Sequence, residues 1–85
     1  MNATRRYTIV IVKTIGGHRA YAPGFSHVVG EGIGREGAYK DFKRRLTEFA
    51  RRRLSRGLPI PLDKVVAVKS LRINLRDIER EEDLV

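Results

Sequence analysis

The sequence predicts an α+β fold in the order β-β-β-α-β, and three observations carry the prediction. Residues 35–56 have helical periodicity with a single apolar stripe. Three segments rich in β-branched residues, separated by glycine and proline turns, precede that helix. A segment of alternating character, KVVAVKSLRINL over residues 64–75, follows it. The layout is an antiparallel three-stranded meander with one long helix packed across it and a fourth strand. A chain of 85 residues has a core only just sufficient to fold alone, so self-association is expected. Residues 1–76 read as one domain and 77–85 as an acidic tail.

The first strand is expected over residues 7–14, YTIVIVKT, with Tyr7, Ile9 and Ile11 on one face and Val10 and Val12 on the other. Both faces are apolar, so the one turned from the helix is expected to meet another subunit. Gly16-Gly17 makes a hairpin turn into a second strand over 19–22, ended by Pro23. Pro23-Gly24 turns the chain again, through Phe25, into a third short strand around 27–31. Gly30, Gly32 and Gly34 lead into the helix.

On a helical wheel Tyr39, Phe42, Leu46, Phe49, Ala50 and Leu54 fall in a stripe about 140° wide. Gly57 supplies the left-handed C-cap, and Pro59 and Pro61 cannot continue the helix. At 1.5 Å per residue the rod is about 33 Å long. Arg53 falls inside the stripe, where a lone Arg either snorkels from the helix end, the expected case, or pairs across an interface. In 64–75 the second half has one polar face, with a break possible near Ser70, and a 12-residue strand is long for so small a domain, so its second half is expected to extend past the sheet towards a partner.

The formal net charge is +8, and it is unevenly placed. Residues 77–85 carry five acids against one Arg, whereas 1–76 carry 17 basic groups against five acids, a body charge of +12. Such a surface attracts polyanions, whether nucleic acid or an acidic protein. No apolar run approaches the ~18 residues of a membrane helix, and the N-terminal apolar run is short and ended by Lys13. A soluble, cytoplasmic chain without a signal peptide is therefore expected. The absence of cysteine excludes disulfides and thiolate chemistry. Thirteen Arg without a single Gln is a thermophile-like composition.

These residues resemble the HicB-like family, whose N-terminal domain is the antitoxin half of HicA–HicB toxin–antitoxin pairs. The resemblance rests on Tyr7, Gly17, Ala20, Tyr21, Pro23, Phe25, Val28-Val29, Gly32, Arg35-Glu36, Ala38 and the closure Gly57-Leu58-Pro59-Ile60-Pro61. It implies a partial ribonuclease-H-like domain, a homodimer, and as partner a HicA-like messenger RNA interferase whose catalytic His and RNA surface the antitoxin covers. The chain departs from the family pattern at Ser26-His27, Gly34 and Gly37. Its helix is +6 where family helices tend to be acidic. Many family members continue into a ribbon-helix-helix or helix-turn-helix. Leu71-Arg72-Ile73-Asn74-Leu75 looks like a ribbon strand, but about ten residues leave no room for the two helices that follow one.

Lys40, Arg44, Arg45, Arg51 and Arg52 form a basic helix face suited to phosphates or an acidic partner. The plainer expectation is a solvated face in which Asp41 pairs with Arg45 and Glu48 with Arg52. Phe25, after a turn, is the candidate exposed aromatic and, with Tyr21 and Tyr39, a stacking platform for bases. Val10, Val12, Leu71 and Ile73 are the dimer-contact candidates. His18 and His27 are the only imidazoles, and neither lies in a catalytic or metal motif. Outside the tail the carboxylates are Glu31, Glu36, Asp41, Glu48 and Asp63, too few and too interleaved with cations for the two-metal site of ribonuclease H. Gly30–Gly34 lacks the Lys-Ser/Thr of a phosphate loop. No catalytic, cofactor or metal residue is assigned. A binding module is expected rather than an enzyme, with RNA or DNA binding by the helix as the alternative.

Overall fold

The computed structural model describes residues 4–77. Strands β1 (Val10–Thr14), β2 (Gly17–Ala22) and β3 (Phe25–Gly32) form an antiparallel sheet of order β1-β2-β3, and helix α1 (Arg35–Ser55) crosses one face of it. Thr14 pairs with Gly17 around Ile15 and Gly16, and the turn closes because Gly16 takes φ +81° without a Cβ to clash.

Two glycines let α1 lie close on the sheet. A Cβ on Gly30 would stand 2.3 Å from the Phe42 backbone nitrogen, and one on Gly32 would stand 2.5 Å from that of Ala38. The core follows from this approach: Ala20, Ala22, Phe25 and Val28 from the sheet meet Ala38 and Phe42, with Ile9, Leu46 and Phe49 packed at its edge. Three of the six buried side chains are alanines, small enough to keep the layers close.

Phe25 is only 3% exposed, which corrects the expectation of an exposed aromatic. The register between β2 and β3 shifts between Tyr21 and Ala22. That bulge puts Phe25 and Val28, three positions apart, on the same inward face. Phe25 then stacks at 5.7 Å on Tyr7, 5.0 Å on His27 and 5.3 Å on Phe49. His27 fills the corner between Phe25 and Phe49.

The helix starts after Gly34, which offers no side-chain cap. Its end is fully capped: Leu58 N–H donates to the Arg53 carbonyl and Gly57 N–H to that of Leu54, with Gly57 at φ +68°. This is a Schellman motif. The apolar stripe is only partly covered. Leu54 is 66% exposed because the strand beneath ends at Phe25, opposite Phe49, and the last turn overhangs it. Arg53 lies over the Phe49 ring at 5.0 Å.

Regular β1 begins at Val10 rather than residue 7. Tyr7 and Thr8 are drawn aside to the chain beyond the helix. The Tyr7 hydroxyl donates to the Pro61 carbonyl, and the Thr8 N–H and hydroxyl donate to Asp63 at 2.8 and 2.7 Å. Burial raises the Tyr7 pKa, which keeps that hydroxyl protonated as a donor. The Thr8 hydroxyl, with the Val65 and Thr8 N–H groups, lowers the pKa of Asp63.

The expected fourth strand over 64–75 is not formed in the single chain. Residues 58–74 carry neither helix nor strand, and residues 75–77 are helical, with Arg76 N–H donating to the Asn74 side chain. The alternating pattern is there, but no neighbouring ladder accepts it.

Candidate interaction surfaces

Among the described residues, three surfaces bear on the sites named from the sequence. The first is the sheet face turned from α1. Ala20 and Gly30 face the helix, so their strand neighbours point the other way: Val10, Tyr21 and Val29 in one row, Val12, Arg19 and Glu31 in the next. Val12 and Val29 are exposed, and Arg19 pairs with Glu31 at 3.1 Å. The dimer candidates Val10 and Val12 both lie here, whereas Leu71 and Ile73 lie far along the chain beyond the helix and are exposed.

The second surface is the cationic side of α1, and the five basic residues named from the sequence separate on it. Asp41 is only 18% exposed. It accepts the Glu31 backbone N–H at 2.9 Å and holds Arg44 at 2.7 Å and Arg45 at 3.0 Å. The Glu31 amide first, then the Arg44 guanidinium, depress its pKa to about 2. Glu48 pairs with Arg44 at 3.4 Å and not with Arg52, because Asp41 already brings Arg44 to that side. Lys40, Arg44 and Arg51 share a groove with Lys43 and Thr47. Arg52 lies apart, beside Arg53 and Arg56 at the C-terminal end. Lys43 was missed, although its place three residues after Lys40 and eight before Arg51 was readable as one helix face. Among the described residues Lys40, Lys43, Arg51 and Arg52 have no acidic partner.

The third surface is an apolar groove of about 450 Å³ between the other flank of α1 and the lead-in to β1, lined by Tyr7, Leu46, Ala50, Leu54 and Ile60 with Arg5 and Arg51 at its rim. It continues past Tyr7 and Leu46 into a smaller depression at Ile9 and Tyr39.

No stacking platform forms: Tyr21 lies on the outer sheet face, Phe25 is in the core and Tyr39 is on the helix flank. The His18 ring donates from Nδ1 to the Ile33 carbonyl at 2.8 Å, tying the β3–α1 connection to β2. Among the described residues no three His, Asp or Glu side chains come together as a metal site, and no helix is long and apolar enough to cross a membrane. Compared with known proteins, the chain matches no family model, no curated protein and no solved structure.

Proposed function

We propose that this chain is a HicB-like protein-binding module that works as a homodimer in the cytoplasm. Its partner would be a small HicA-like messenger RNA interferase, which it neutralises by covering the toxin's catalytic and RNA-binding surface. The observation that carries this reading is the distribution of apolar surface. Among the described residues only six side chains are buried, while Val12 and Val29 on the sheet and the series from Val66 to Leu75 beyond the helix stay exposed. Exposed apolar surface on that scale fits a protein partner. The resemblance in sequence and the β-β-β-α order support the same reading.

Co-expression with the product of the adjacent gene tests it, and a small basic protein encoded there is what the reading requires. A complex that survives purification and weakens when Val12→Glu and Val29→Glu are introduced is expected; no stable complex with the neighbouring product sinks the reading. A second reading, direct nucleic-acid binding, is favoured by Lys40, Lys43 and Arg51, which share a groove and lack acidic partners among the described residues. It requires the log affinity for single-stranded RNA to fall linearly with log salt, with the slope reduced by about one for each of Lys40→Glu and Arg51→Glu. An unchanged slope removes it.

A further inference from the structure

We propose that residues 71–75 of one chain seat in the apolar groove of a second copy, and that the exchange is reciprocal. The inference rests on the self-association in the function proposed above and names a different surface for it from the outer sheet face.

The chain beyond the helix projects from the body. The radius of gyration is 18.0 Å and the longest axis 59 Å, against about 12 Å expected for the radius of a compact chain of this length and about 32 Å for the helix itself. Val66 is 100% exposed and Leu71 86%, with Val68, Ile73 and Leu75 also open to solvent. An isolated chain has no reason to hold these in water.

The groove and the arm match in length. Leu71, Ile73 and Leu75 alternate onto one side, and in extended form the first and last are about 13 Å apart. Leu46, Ala50 and Leu54, which line the groove, span about 12 Å of helix. The charges match in kind: Arg5 and Arg51 rim the groove, and the arm runs on into the acids Asp77, Glu79, Glu81, Glu82 and Asp83.

The occupant is a second copy because the arm leaves its own groove behind at the exit. Asp63 is held by Thr8 and itself accepts the Val65 N–H at 3.1 Å, so the direction of exit is set. Between there and Leu71 the sequence is KVVAVKS, whose one turn-forming residue, Ser70, comes directly before Leu71 and so leaves the six residues ahead of it running outward. Two arms and two grooves then satisfy each other across a two-fold axis, as an isologous dimer requires.

Solution mass by light scattering tests this on the full chain. Wild type is expected at twice 9.7 kDa. The triple variant Leu71→Ser/Ile73→Ser/Leu75→Ser and, separately, Leu54→Glu are expected at the single-chain mass with unchanged helicity; all four positions are exposed, so the fold should tolerate these changes. The chain has no cysteine, so an Ile73→Cys chain mixed with a Leu54→Cys chain should give a disulfide-linked pair under mild oxidation. If wild type is a dimer and both variants remain dimers, with Val12→Cys chains linking to each other instead, the groove assignment falls while the homodimer stands. If wild type has the single-chain mass, self-association and this inference fall together, and binding of a different protein is still decided by co-expression.

Discussion

Gly30 shows how much one missing side chain decides. Its absent Cβ is what lets Phe42 and Ala38 reach the sheet: the added atom would stand within 2.6 Å of three backbone atoms of α1, none of which can move alone. Gly30→Ala is therefore expected to force the helix outward and open the core around Phe42. The loss should be that of an overpacked core contact, about 1–3 kcal/mol or more, out of a total in the usual range of about 5–15 kcal/mol. Chemical denaturation would measure it, and a shift below about 1 kcal/mol would contradict the close approach. Nothing in the sequence distinguishes Gly30 from the turn glycines around it, because both uses look the same without the helix in place. Phe25 failed for a related reason. A bulge reverses the in-out alternation, and no residue type in Phe25-Ser26-His27-Val28 announces one.

At the scale of elements, Asp41 is the tie between β3 and α1. Its carboxylate takes the Glu31 amide of the strand and both Arg44 and Arg45 of its own helix. With its pKa depressed from 3.8 to about 2, it contributes stability that is fully present above about pH 4 and is lost as pH falls through 2. Thermal midpoints from pH 7 to 2 should drop at the acid end, and Asp41→Asn should flatten part of that drop while lowering the plateau at neutral pH. An unaltered acid limb in the variant would show that the tie does not contribute. The helix itself was legible almost to the residue, since an apolar stripe, a capless glycine start and a Gly-x-Pro stop are local signals. The fourth strand was not, because alternation in 64–75 states a preference for pairing without supplying the neighbour. The cationic face was half legible: spacing marks the basic residues, but which of them Asp41 and Glu48 hold depends on where β3 delivers the Glu31 amide.

For the whole molecule, a folded β-β-β-α body carries a long exposed arm, and the two should respond differently to dilution. A chain ending at Ser70 is expected to keep the helicity of the body and to unfold in urea at a midpoint independent of protein concentration. The full chain's midpoint should rise with concentration, as association with the folded state requires. Equal, concentration-independent midpoints would show that the arm contributes nothing beyond its own length. The uneven charge was readable from composition alone, whereas the elongated shape was not, because it depends on the exit direction that Thr8 and Asp63 impose.

That junction has one further consequence. Tyr7 with Pro61 and Thr8 with Asp63 join residues 54 and 55 positions apart, so during synthesis they can meet only after the meander and helix have already emerged. Closing so long a loop costs entropy that nearby contacts do not, so this joint depends on the meander and helix to bring its two sides together. A lesion at Asp63 would free the lead-in to β1 and the segment after the helix at one stroke, exposing the flank of the helix to proteases while the meander beneath stayed intact.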